Sequence, residues 1–150
     1  MNVGTALNDL NLSQVPFGKL SFIAAAVLLL CIIIMVVKRS RPQELDMAAY
    51  KTGWKSVEKK LKDESLWALA IIEADDLLAS ALKTRRYKGR NMGERLVSAQ
   101  RDIADNPNVW FAHKLKKRIA IQESPKLKKK EVKTALLGLR GALRDIGALK

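Results

Sequence analysis

A chain of 150 residues with 28 Lys and Arg against 15 Asp and Glu carries a formal net charge of +13. That balance draws it toward anionic partners such as nucleic acid, acidic lipid or an acidic protein. Its single cysteine and single histidine exclude an internal disulfide and the usual zinc sites, and no Gly-rich phosphate loop follows a strand pattern, so no cofactor or metal is expected.

Residues 1–19 are polar, with Gly, Asn, Ser and Pro, and read as a disordered extracytoplasmic tail. Residues 20–37, LSFIAAAVLLLCIIIMVV, contain no charge, Pro or Gly. At about 1.5 Å per residue such a helix crosses the roughly 30 Å hydrocarbon core of a bilayer. The alternative, a buried core helix, would need a basic domain to surround a segment apolar on every face. A cleaved signal peptide is disfavoured, because no basic segment precedes the run and no small-residue cleavage site follows it. Cys31 lies inside the run and reads as a packing residue, with lipidation or an interchain bridge as the alternative.

Lys38, Arg39 and Arg41 follow the span, and only Asp9 and Lys19 precede its end. Those two cancel, so the whole +13 excess falls on residues 38–150. Positive charge after the span predicts that the N-terminus is outside and the C-terminal domain cytoplasmic. The chain is expected to cross a membrane once. Residues 38–48 form a basic linker in which Pro42 stops the membrane helix. Its cations should touch anionic lipid headgroups, each contributing on the order of 1 kcal/mol.

Residues 49–150 are expected to form an all-α bundle of about five mostly antiparallel helices, since no strand pattern or repeat occurs. In the first, over about 48–62, Tyr50, Trp54, Val57 and Leu61 make one apolar stripe. Gly53 weakens it, and Asp63-Glu64-Ser65 ends it and caps the next. The second, over 65–87, carries Trp67, Ile71, Ala74, Leu78 and Leu82 on one face. Leu66, Leu69, Ile72 and Leu77 widen that face, as befits a central helix. Basic residues and then Gly89 close it. A shorter helix begins at Asn91 or Met92 and carries Met92, Leu96, Ala99 and Ile103. Asn106-Pro107-Asn108 caps a fourth, over 107–122, which Ser124-Pro125 ends. The last spans 128–149 with Val132, Leu136, Leu139, Leu143 and Ile146 as a heptad seam, and Gly138 and Gly141 allow close packing.

The segments ESLWALAIIEADDLLASALKTRRYKG, NMGERLVSA, VWFAHKLKKRIA and ALRDIGALK, in this order over residues 64–149, resemble a group of bacterial membrane-anchored proteins. Their soluble part is similar to the HEPN superfamily of helical bundles. The resemblance implies that fold, and in HEPN ribonucleases an Arg and a following His on one helix perform the chemistry. Here Lys116 stands at the Arg position, Lys117 at the following Asn, Ile121 at the His and Gln122 at the Glu. Isoleucine cannot move a proton, and Lys lacks the planar fork of Arg, so the departure argues against nuclease activity.

Glu73, Asp75 and Asp76 lie on the second helix, Glu73 and Asp76 on one face. Two carboxylates could ligate a metal or share a proton, but without a partnering His or second acidic helix one of the three is expected to pair with a buried or rim Lys or Arg of the fourth helix and fix the bundle register. His113 reads as a satisfied inner or rim residue, with a catalytic base as the alternative. The best functional signal is basic. Lys114, Lys116, Lys117 and Arg118 end one helix, and Lys126, Lys128, Lys129 and Lys130 open the next. An antiparallel hairpin would place both groups at one end of the bundle, joined by Arg85, Arg86, Lys88 and Arg90 if their helix ends nearby. The eight residues between 114 and 130 are the candidate site for anionic lipid or nucleic-acid phosphates. The expected function is a single-pass membrane-anchored interaction module, non-catalytic, with a homodimer through the last helix as a further partner. The alternatives are a membrane-tethered RNA- or DNA-binding protein and a HEPN-type ribonuclease.

Overall fold

A computed structural model describes residues 17–40, 43–122 and 126–150. The tail before Phe17, the residues Arg41 and Pro42, and the Ser124-Pro125 break lie outside the described residues. Among those described, the chain is all-helical, with six α-helices and one 3-10 turn. It divides into two units, Met1–Arg41 and Pro42–Lys150.

The first unit contains α1, Phe17–Ser40, which runs beyond the expected apolar stretch at both ends. Its 24 residues amount to about 36 Å of helix, and it is long and apolar enough to cross a membrane. Every side chain from Ser21 to Lys38 is exposed. None of that window is buried by the protein's own chain.

The second unit is a bundle whose core comes from all five remaining helices. Helix α2, Met47–Lys60, starts where the Asp46 carboxylate accepts the N–H groups of Ala48 and Ala49 at 3.0 and 3.1 Å. Its stripe buries Tyr50, Trp54 and Val57. A Cβ on Gly53 would lie 2.7 Å from Leu77 Cδ2, so this glycine also lets α2 approach the next long helix closely. Asp63 caps a 3-10 turn, Glu64–Leu66, instead of the α-helix itself. Its carboxylate is held below the usual range by the Ser65 hydroxyl and then the Ser65 N–H.

Helix α3, Trp67–Thr84, packs against α2, α4, α5 and α6 and is the central helix. The wide apolar face is not buried throughout. Leu66 and Leu69 remain exposed, Leu66 within the 3-10 turn that precedes the helix. The expected glycine does not end α3 either. Arg86 takes the left-handed conformation at φ 62°, and Tyr87 N–H donates back to Leu82 O at 3.0 Å. Helix α4 is one short segment, Met92–Ser98, capped by Asn91 and continued by turns that still bury Ala99 and Ile103.

Helix α5 covers Asn106–Ile121 and α6 covers Lys129–Asp145. Asp105, one residue before the predicted cap, accepts the Asn108 N–H at 3.3 Å. The seam of α6 is buried as expected, but α6 stops at Asp145 because Gly147 takes φ 78° and Ala148 N–H turns back to Leu143 O at 2.7 Å. Contacts between helix ends set the directions. Arg118 near the end of α5 meets Glu131 near the start of α6, and Asn108 near the start of α5 lies against Gly138. Helices α5 and α6 are therefore antiparallel. Tyr50 meets Ser80 and Lys60 meets Glu73, so α2 is antiparallel to α3. The Arg85 Nε–H donates to Ile146 O at 3.0 Å, which puts the ends of α3 and α6 together and makes those two parallel.

The two glycines of α6 differ. A Cβ at Gly138 would lie 2.7 Å from the Asn108 carbonyl carbon and 2.8 Å from its Cβ, whereas one at Gly141 would meet nothing within 4 Å. Only Gly138 is a close-packing residue. Gly138→Ala should therefore destabilise the bundle by about 1–3 kcal/mol through overpacking. Gly141→Ala should stabilise it by up to about 1 kcal/mol through helix propensity. Urea unfolding of the detergent-solubilised chain, followed by tryptophan emission, checks both signs, and equal effects would refute the packing assignment.

Candidate functional site

The deepest polar group is Asp75, whose side chain is fully buried on α3. It occupies the buried side because it sits four residues after Ile71 and three before Leu78, both in the core. Its two oxygens face α5. Oδ1 lies 3.1 Å from His113 Nδ1, and Oδ2 lies 3.1 Å from Lys116 Nζ. His113 and Lys116 are three apart and share one face of α5. Lys116 also donates to Asp76 Oδ1 at 2.6 Å. The ring of Trp110 meets His113 edge-on, with centroids 6.2 Å apart. Among the described residues no buried side-chain nitrogen or oxygen is left without a partner.

Burial alone would lower the Lys116 pKa, but the hydrogen bonds and charges of Asp76 and Asp75 outweigh it and raise the pKa above the ordinary 10.5. The network is thus a carboxylate clasped by an imidazole and an ammonium that stays charged. Its chemistry fits structural pairing. Glu73 turns away to Lys60 on α2, at 2.9 Å, while Asp76 turns to Lys116, so these two carboxylates do not converge on a metal. Among the described residues no group of three or more His, Cys, Asp or Glu could hold a metal ion. The expectation of an ion pair from α3 to the helix carrying His113 is met, with Asp75 as its buried member.

The eight predicted cations separate into two kinds. Lys114, Lys117, Lys126, Lys128, Lys129 and Lys130 are exposed. Lys116 is half-buried and engaged by Asp75 and Asp76, and Arg118 pairs with Glu131 at 3.1 Å. The Glu131 carboxylate is held below its usual range, first by the Lys128 N–H that it accepts at 3.0 Å and then by Arg118. Glu131 therefore starts α6 and ties it to the end of α5. Arg85, Arg86, Lys88 and Arg90 do not join this cluster. They follow α3, whose end meets the C-terminal end of α6, the opposite end from Lys128, Lys129 and Lys130. Lys38 is exposed on α1 and Arg39 belongs to that helix, while Arg41 lies outside the described residues. Ile121 is 84% exposed at the end of α5.

Comparison with known proteins found no matching family model, no matching curated protein and no matching solved structure.

Removing the buried carboxylate strands its partners, so Asp75→Ala should cost about 3–5 kcal/mol of bundle stability. Lys116→Ala should cost clearly less, because Asp75 keeps His113 and Asp76 is largely exposed. Chemical unfolding ranks the two, and an equal or reversed order would show that Asp75 is not the centre of the network.

The alkaline limit follows from two raised values. Tyr87, partly buried and donating to Asp102 at 2.7 Å, is pushed up from 10.0 to about 12, first by burial and then by that carboxylate. A group whose folded pKa is raised contributes stability below its unfolded value and loses it as the pH climbs through the folded value. Both Tyr87 and Lys116 should therefore make the thermal midpoint fall as the pH climbs above 10.0 toward about 12. Tyr87→Phe should flatten part of that fall, and an unchanged slope would remove Tyr87 from the account.

Proposed function

We propose that the chain is a single-pass membrane protein whose cytoplasmic HEPN-like bundle is a non-catalytic interaction module, residing in a bacterial inner membrane with its N-terminus outside. The observation that carries this reading is the internal use of the polar groups that a catalyst would need free. His113 and Lys116 both close on Asp75, and the position of the HEPN histidine holds an exposed isoleucine. The length and apolar surface of α1 support the membrane anchor, and Lys38, Arg39 and Arg41 support the orientation.

On this reading the outward lysines at 114, 117, 126 and 128–130 engage anionic lipid headgroups. The rival reading uses the same lysines to hold RNA or DNA phosphates, with the steep salt dependence that follows from counterion release.

Topology is testable with the chain's own chemistry, because Cys31 is its only cysteine. In a Cys31→Ala background, a cysteine replacing Thr5 should react with an impermeant maleimide on intact cells, and one replacing Ser98 should react only after lysis. External labelling at position 98 would overturn the orientation. The full chain in neutral nanodiscs should leave labelled RNA unbound and uncut. Binding at low salt that falls steeply with added salt would favour the nucleic-acid reading, and cleavage lost on His113→Ala would establish the enzyme.

A further inference from the structure

Between α2 and α6 lies a cleft of about 270 Å³ that the Asp75 network does not touch. Its walls are overwhelmingly apolar, with Trp54, Trp67 and Leu136 among them. On its lip Leu137 is 58% exposed, the one large apolar side chain that α6 turns outward. Both indole N–H groups are already used, by Glu58 Oε1 at 2.9 Å and by Leu61 O at 3.1 Å, so the cleft offers apolar surface without a polar demand of its own.

The rim supplies the charge. Lys129, Lys133 and Arg140 border the cleft, against a single acid, Glu58. That acid accepts the Trp54 N–H and lies 3.7 Å from Arg140, an exposed pair of the kind that contributes little and exchanges readily. Arg140 also stands over the Trp54 ring, 5.9 Å from its centre. Lys129, Lys133, Leu137 and Arg140 follow one another along one face of α6, and from Lys129 to Arg140 is about 16 Å of helix.

This spacing and burial discriminate between occupants. One phosphate headgroup cannot bridge cations spread over about three helical turns. Stacking of nucleobases needs open aromatic faces, and Trp54 and Trp67 are only 6% and 8% exposed. A polypeptide segment with several carboxylates and one large apolar side chain matches both the spread of charge and the apolar well. We infer that the α2–α6 cleft is a docking site for an acidic amphipathic segment of a partner protein, which sets its apolar anchor beside Leu137 and its carboxylates along Lys129, Lys133 and Arg140. The inference rests on the interaction-module reading and names the class of partner.

The test uses the full chain in phosphatidylcholine nanodiscs and a random peptide library displayed on phage. The enriched peptides should carry one Trp, Phe or Leu flanked by Asp and Glu. A synthetic copy should change the emission of the cleft tryptophans. Lys133→Glu and Leu137→Asp, both at exposed positions, should each weaken it by about tenfold or more, while Arg101→Glu, exposed and outside the cleft, should not. Circular dichroism of the variants confirms that the fold is kept. No enrichment, enrichment without acids, or equal binding by the variants would overturn the proposal. So would quenching of tryptophan by brominated anionic lipid that Leu137→Asp relieves, since that result assigns the cleft to lipid. RNA cleavage by the same preparation would remove the module reading and leave the peptide result to be read independently.

Discussion

A carboxylate with no access to water organises this bundle. Moving an ionised side chain out of water costs several kcal/mol, and the attraction of a paired cation offsets that cost only when the geometry is good and the remaining lone pairs are satisfied. Asp75 meets both conditions through two residues of α5, His113 on one oxygen and Lys116 on the other. A slide or rotation of α5 by one residue would carry both partners away. The apolar contacts between these helices tolerate small changes, whereas the clasp needs both partners within hydrogen-bond reach of Asp75.

Other features follow from that register. With His113 turned toward α3, Val109, Ala112, Leu115 and Ile119 enter the core, while Lys114 and Lys117 face solvent. At the start of α5, Asn108 then meets α6 at a position without a side chain, Gly138. At its other end, Arg118 reaches Glu131 and α6 begins. The antiparallel hairpin of α5 and α6 is thus held at three points, by an ion pair at one end, a glycine contact toward the other and the heptad seam between. The seam itself is buried in this core, which leaves Leu137 as the apolar contact that α6 offers outward.

The same geometry sorts the chain's large positive excess. A basic residue that meets a buried acid or a backbone carbonyl of another helix becomes structural, as Lys116 and Arg85 show. A basic residue on the outer face of a helix stays available, as Lys128, Lys129 and Lys130 show. Net charge alone cannot make this distinction, because it counts both kinds equally. The acids behave likewise: Glu73, Asp75 and Asp76 are near neighbours in sequence, yet they reach Lys60, His113 with Lys116, and Lys116 alone.

By itself the amino-acid sequence determined what local periodicity and local chemistry can specify. The long apolar helix, the all-α class of the described residues and the stripes of Tyr50, Trp54 and Val57 or of Val132 to Ile146 are patterns within one segment, and the structure keeps them. The signal for Asp75 was also present, since the spacing from Ile71 to Asp75 to Leu78 is that of a buried face. Which of the three neighbouring acids is buried stayed open, because an isolated carboxylate is costly to bury and its partners lie on a helix some forty residues away. Helix ends were less legible. Arg86 occupies a conformation that residue type disfavours, and Gly147 ends α6 inside a segment whose periodicity could have continued. What only the tertiary structure decided are the pairings between helices: which cations Asp75 withdraws from the surface, which end of α6 receives Arg85, and that Trp54, Trp67 and Leu136 border one cleft. Those depend on how helices distant in sequence approach one another, and no pattern within a single helix encodes that approach.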